Sequence, residues 1–281
     1  MSVMRIGIMA RTFSGRTVDE MLDYVTSHDI ESVQFNLSCA GVDTLPETID
    51  DVMCRQIHSA FKQRQLEMVA ISGTYNVIDP DVTKREMMTS RAVRLIERAR
   101  DLGTTVVSLC TGTRSPDNMW LAHSDNGAPD SWRDLTATLE RLLAAAEKSG
   151  VTLGVEPERA NVINSALQAR RLLDQMQSDN LKVILDGANL FEPHKVTNTR
   201  CVLQEAFDLL ASDIALVHAK EIPNHSSSRE EAAGAGQLDW DSYSQGMRSI
   251  GYDGPIVLHN LAPSQVDESV RFIRRHVMGS I

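Results

Sequence analysis

The 281-residue chain has only four cysteines, Cys39, Cys54, Cys110 and Cys201, and no two of them form a C-x-x-C pair. This scatter argues against a disulfide framework and predicts reduced thiols in a cytoplasmic protein. Cys110 falls at the end of an expected strand, where it is either a pocket-lining group or a small buried thiol. No basic-then-apolar leader precedes Arg5-Ile-Gly-Ile-Met, so no export signal is expected. No apolar run approaches the ~20 residues needed to cross a bilayer, so no membrane span is expected either. Cationic charge is also scarce. The chain has 28 Lys and Arg against 38 Asp and Glu, a formal net charge of −10, which opposes nucleic acid or an anionic membrane as partner. There is no Gly-rich phosphate fingerprint after the first apolar run, and no internal repeat or low-complexity tract. These absences leave a small-molecule substrate.

What is present is a strict alternation of short apolar runs and helical patterns. Strands are predicted at Arg5–Met9, Ser32–Asn36, Leu66–Ile71, Thr105–Cys110, Thr152–Glu156, Lys182–Asp186, Ala215–His218 and Pro255–His259. Helices are predicted at Thr17–Ser27, Glu47–Arg64, Thr83–Leu102, Ser131–Lys148, Ser165–Gln177, Asn198–Ala211, Asp239–Ile250 and Ser264–Val277. Asp81 or Thr83 is expected to cap the third helix and Asp130 or Ser131 the fourth. Gly103 and Gly150 are placed as C-terminal caps. Eight such pairs with no break in composition predict one closed (β/α)8 TIM barrel, a single domain over residues 1–281; an open α/β sheet is the alternative. Two connections, Thr111–Pro129 and Glu221–Leu238, are long and lie on the predicted active face. They read as lids, although Ser226-Ser227-Ser228 also fits a plain surface excursion.

Four consecutive apolar runs end in polar groups able to hold a metal: Glu156, Asp186, His218 and His259. In a (β/α)8 barrel these strand ends converge on the face that carries the chemistry. Two carboxylates and two imidazoles there would hold one divalent cation, with Mn²⁺, Mg²⁺, Co²⁺ and Zn²⁺ all compatible. The plainer readings are an ion pair of Glu156 with Arg159 or Lys220, a turn cap for Asp186, and a hydrogen-bonded core histidine for His218. His259 is a fourth ligand, a general base or a partner for a substrate oxygen. Lys220 should share the face of His218, where it would neutralise an oxyanion or a substrate carboxylate, unless it forms a solvated pair with Glu221. Asn76, Arg114, Trp120, His123, Glu158, Asn161 and Asn189 follow predicted strands closely. Their donors, acceptors and one indole suit a polyhydroxylated ligand. Phe13 and Phe191 fit ordinary packing at the barrel cap equally well.

Gly154-Val-Glu-Pro-Glu, Val183-Ile-Leu-Asp-Gly-Ala-Asn, Leu216-Val-His-Ala-Lys-Glu and Gly234-Ala-Gly-Gln-Leu-Asp-Trp resemble the sugar phosphate isomerase/epimerase superfamily, the xylose-isomerase-like barrels. The resemblance covers nearly the whole chain. It implies Glu156, Asp186 and His218 as metal ligands, and an open-chain sugar bound across the cation. In that family's ketose epimerases two metal-bound glutamates exchange a proton on opposite faces of a cis-enediolate. Here the strand-eight glutamate is His259, the histidine three residues after the strand-six aspartate is Asn189, and Gln34 stands where a glutamate is common. The resemblance therefore implies an isomerase or epimerase of a small keto sugar or sugar acid. In such a reaction the cation would acidify the carbon-bound proton, with Glu156 and His259 as base and acid.

Other readings stay open: a metal-dependent lyase or hydratase acting on a 3-keto sugar or glycoside, and a degenerate sugar-binding barrel. Related barrels that cleave DNA at abasic sites use a multi-zinc cluster with more ligands than this chain offers. A homo-oligomer is compatible with the sequence, which does not locate an interface.

Overall fold

The protein is described here by a computed structural model covering residues 4–192, 196–224 and 231–279. Eight parallel strands close into a barrel in sequence order: β1 (Ile6–Met9), β2 (Ser32–Phe35), β3 (Glu67–Ser72), β4 (Val106–Cys110), β5 (Thr152–Glu156), β6 (Leu181–Asp186), β7 (Ile214–Ala219) and β8 (Ile256–Leu258). The ring is sealed by β1 against β8, with Ile6 opposite Ile256 and Gly7 opposite Val257. The outer layer is α1 (Val18–Ser27), α2 (Asp51–Gln63), α3 (Val82–Leu102), α4 (Pro129–Ser149), α5 (Ala166–Met176), α6 (Thr199–Leu210), α7 (Trp240–Ser249) and α8 (Val266–His276). The architecture is thus the (β/α)8 barrel that the alternating pattern predicts. The described residues contain no helix long and apolar enough to cross a membrane.

The local rules explain most boundaries. Thr17 and Glu20 form a reciprocal capping box at the start of α1, and Asp81 accepts from the Lys84 N–H to cap α3. Gly103 and Gly150 end α3 and α4 with left-handed backbones. The start of α4 differs from expectation: Ala128 is the cap residue and Pro129 occupies the first turn, so Asp130 and Ser131 are already helical. Proline is favoured there because its fixed φ suits the helix and no N–H is lost. The Ser131 hydroxyl instead donates back to the Asp125 carbonyl at 2.6 Å. Helix faces such as Leu135, Leu139, Leu142 and Ala146 are fully buried against the barrel at three- and four-residue spacing.

Inside the barrel, one wall is apolar and the other polar. Ile184, Leu216 and Val257 pack together with Val69 and Ala70, each of the first three lying two residues below Asp186, His218 or His259. Gly154 fills the same layer below Glu156; a Cβ there would sit 2.7 Å from Ile184 Cγ1, so glycine leaves room for the isoleucine. The opposite wall carries Gln34, Ser72 and Ser108, all buried.

From the outer ring, α7 reaches the strand ends through Tyr243, which is fully buried. Its hydroxyl lies 2.9 Å from the Leu185 carbonyl and 3.1 Å from the His218 carbonyl, and accepts from the Gly187 N–H at 3.3 Å. It therefore ties β6 to β7 directly beneath the site. Removing it leaves buried carbonyls without that donor. Tyr243→Phe should lower the unfolding free energy by about 1–3 kcal/mol; urea denaturation with unchanged far-UV dichroism would show it, and an unaltered midpoint would rule the tie out.

Candidate metal centre

The barrel brings Glu156, Asp186, His218 and His259 to one point, with one donor atom from each within 4.8 Å of the others. His218 Nδ1 lies 3.3 Å from Glu156 Oε1 and 3.6 Å from Asp186 Oδ2. His259 Nδ1 lies 3.1 Å from Asp186 Oδ2, and the two imidazoles meet edge to face at 4.8 Å between centroids. His259 directly follows β8, its backbone N–H donating to the Ala219 carbonyl. Asp186 and His218 are fully buried, while Glu156 and His259 open partly to the mouth.

Ligands 2.0–2.2 Å from a cation lie at most about 4.4 Å apart, so a contraction of a few tenths of an ångström suffices to close this set on one ion. Two carboxylate oxygens and two imidazole nitrogens suit a borderline divalent metal. The residues fit such a group.

The charge balance points the same way. Burial acts to raise the carboxyls of Glu156 and Asp186. For Glu156 the neighbouring His218 overrides it; for Asp186 the Lys220 charge and the bonds to His218 and His259 do, so both are held below the usual carboxylate range. Asp186 Oδ1 also accepts from the Ala188 and Asn189 N–H groups at 3.0 and 3.3 Å. Burial alone would lower His218, but Glu156 and Asp186 raise it to about 9. Burial lowers His259, helped by the positive charge of His218 and Lys220 and opposed by its bond to Asp186. A divalent cation on these donors would take the place of the imidazole proton on His218.

Lys220 joins the cluster through Asn189. Its Nζ donates to Asn189 Oδ1 at 2.5 Å, and Asn189 Nδ2 donates to Glu156 Oε1 at 2.7 Å. Burial opposes the Lys220 charge, but Asp186, Glu158 and Glu156 more than compensate and raise its pKa. Glu158 is pushed up to about 7 by burial, reinforced by the charges of Glu156 and Asp186 and resisted by Lys220.

Glu221 points away from Lys220 and is buried in its own loop. Its side chain accepts from the N–H groups of Ile222, Gly234 and Leu238 and from the Trp240 indole, at 2.8 to 2.9 Å. A Cβ on Gly236 would lie 2.2 Å from the Ile222 carbonyl, so the Gly234-Ala-Gly-Gln-Leu-Asp-Trp segment is the wrapping of this side chain. Ser226, Ser227 and Ser228 lie outside the described residues.

The other long loop is fastened as firmly. Asn76 spends both ends of its amide on the Thr113 backbone, and Asn161 accepts from the Gly112 N–H. Arg114 donates to Ser131 Oγ, to the Ile78 and Asp130 carbonyls and to Asp134, which also pairs with Arg85. His123 caps a turn of the same loop, and Trp120 is half exposed upon it. Arg159 pairs with Glu192 rather than Glu156. Phe13 and Phe191 belong to the core, and the Cys110 thiol donates to the Tyr75 carbonyl, with burial pushing it up to about 12. Gln34, noted in the sequence only as standing where a glutamate is common, has its Oε1 2.8 Å from His218 Nε2, a contact the sequence did not foretell.

The profile of the xylose isomerase-like TIM barrel family matches residues 21–276. The chain belongs to that family. Among solved structures, this xylose isomerase-like barrel is similar to 3-keto-D-glucoside 4-epimerase YcjR from E. coli, with TM-score 0.76 and 18% identity over 97% of this chain and 99% of that one. It is similar to an L-ribulose 3-epimerase at TM-score 0.75 and 19% identity, covering 98% and 94%. It also resembles D-psicose 3-epimerase from Clostridium cellulolyticum H10, with TM-score 0.75 and 15% identity over 98% and 99%. At these identities the likeness establishes the fold. No curated protein matches the sequence.

Burial would raise Asp134, but its bond to Arg114 and the charges of Arg85 and Arg114 hold it below the usual carboxylate range. A depressed native pKa contributes stability that is complete above the unfolded value, about 3.9, and is lost as pH falls through the native one. Asp134→Asn should therefore melt below wild type at pH 7, with the gap closing as pH is lowered from about 5 toward 3. A gap independent of pH would assign the loss to packing.

Proposed function

We propose that this protein is a divalent-metal-dependent isomerase or epimerase of a small keto sugar or sugar acid. The observation that carries the proposal is the convergence of Glu156, Asp186, His218 and His259 on one point, with Lys220 held beside them through Asn189. Family membership supports it, as do neighbours whose own names specify epimerisation of keto sugars. The four free cysteines fit a cytoplasmic setting.

Glu156, Asp186 and His218 would hold the metal, with His259 as a fourth ligand or as a proton carrier beside it, and with Mn, Zn, Co and Mg all compatible with the donors. When bound, the cation supplies Lewis acidity that polarises a carbonyl and acidifies the neighbouring C–H. Glu156 takes the proton: His218 and Asn189 both contact Oε1, which leaves Oε2 for the transfer. In the proton-carrying role His259, kept neutral by burial, receives or returns a proton on the other side. Lys220 sits where its ammonium can neutralise charge developing on a substrate oxygen. Glu158, close enough to Lys220 to feel its charge, binds substrate hydroxyls, and Trp120 offers a stacking face. Asn76 and Arg114 act through the loop walls they fix, because their polar atoms are already taken.

One observation favours a second reading. The two proton-handling groups are chemically unlike, a carboxylate and a neutral imidazole. That suits β-elimination from a 3-keto sugar or hydration of a dehydrated sugar acid as well as epimerisation.

Elemental analysis of untagged protein should find about one divalent metal per chain. His259→Ala should bind it more weakly if His259 is a ligand, and equally well if it only moves protons. With a panel of keto sugars in D₂O, NMR should show exchange of the proton beside the carbonyl, slowed about 10²–10⁴-fold by Glu156→Gln. Exchange with a new epimer supports the isomerase; exchange with loss of a leaving group supports the lyase. No metal uptake from any of the four cations would sink both.

A further inference from the structure

The side chain most closely engaged with the cluster from below comes from the far wall of the barrel. Gln34 on β2 is 2% exposed, and its Oε1 lies 2.8 Å from His218 Nε2. Its Nε2 donates to Ser108 Oγ at 3.1 Å on β4 and more loosely, at 3.5 Å, to Ser72 Oγ on β3. The whole set is buried. Among the described residues, its one hydrogen bond to the four donors is the one to His218.

The chemistry of the imidazole decides which way the amide must face. His218 presents Nδ1 to Glu156 and Asp186, so Nδ1 is the nitrogen a cation would use. A ligating Nδ1 carries no hydrogen, so Nε2 carries it and needs an acceptor. Gln34 Oε1 is that acceptor. Turned over, the amide would set its own N–H groups against the Nε2 hydrogen. The hydroxyls of Ser108 and Ser72 accept from the amide NH₂ and hold the working orientation. The acceptor is also neutral. Two carboxylates and one divalent cation sum to zero charge, and an amide leaves that sum unchanged.

We infer that Gln34 is a positioning residue for the metal centre, fixing the ring orientation and the Nε2–H tautomer of His218 and held in turn by Ser108 and Ser72. This deepens the reading above and rests on it. Partners of this kind typically change metal affinity 10–100-fold when removed.

The test uses Co²⁺ alone, titrated into metal-free protein and followed by its visible absorption. Wild type should bind with a defined d–d spectrum. Gln34→Leu should melt near wild type yet bind about 10–100-fold more weakly, with a shifted band. Gln34→Glu, which keeps the acceptor, should recover most of the affinity. Should Gln34→Leu fail to fold, Ser108→Ala takes over: it frees the amide to turn and should weaken binding in the same direction. In Zn²⁺-loaded wild type, ¹⁵N-labelled histidine should show a protected His218 Nε2–H signal. Unchanged affinity and band in Gln34→Leu, or in Ser108→Ala where that variant stands in, would overturn the role of Gln34 while leaving the metal site intact. Failure of wild type to bind Co²⁺ would overturn the metal centre and the role of Gln34 together.

Discussion

Two carboxylates buried side by side are the constraint from which the rest of this structure follows. Glu156 and Asp186 end adjacent strands, and Asp186 has no exposure to water. An uncompensated pair would cost several kcal/mol or protonate. The groups packed against the pair answer that demand. His218 lies between the two acids, His259 takes the outer oxygen of Asp186, two backbone N–H groups take its inner oxygen, and Lys220 reaches the pair through Asn189. The barrel's layering serves the same end. Gly154, Ile184, Leu216 and Val257 form an apolar floor beneath the four side chains, and a low-dielectric floor strengthens each charge interaction above it.

The loops that frame the mouth are held by separate devices. One is built around Glu221, whose four acceptor contacts gather a distant stretch of chain around a single side chain. The other is pinned by Asn76, Asn161 and the Arg114–Asp134–Arg85 cluster. Neither device takes its hydrogen bonds from the four donors.

The barrel was legible because each strand is an apolar run with helix signals on either side, and the four donors because each closes its run. Pattern along the chain carries that information. Long-range pairing is what it does not carry. Gln34 meets His218 across 184 positions, and nothing near Gln34 in sequence hints at a histidine. Arg114 and Asn76 read as sugar-facing groups because a polar residue after a strand looks unpaired until its loop folds back on it. Glu221 read as half of a rim pair with Lys220 because, beyond the adjacent Ile222 N–H, its partners lie thirteen to nineteen residues later, from Gly234 to Trp240. The start of α4 went to Pro129 over Asp130, since a rigid ring at the first turn sets the helix without a side-chain cap.

The fastened loop between β4 and α4 has a bearing on how tightly the mouth can hold a guest. Thr113, the Arg114 N–H and Asn126 are already paired within the loop or with the loop after β5, so part of the loop's conformational entropy was given up when the chain folded. A ligand entering beside these pinned groups meets a stretch of wall that is already ordered. Preorganisation of that kind leaves more of each hydroxyl contact to appear as affinity, and makes discrimination between stereoisomers a matter of rigid fit.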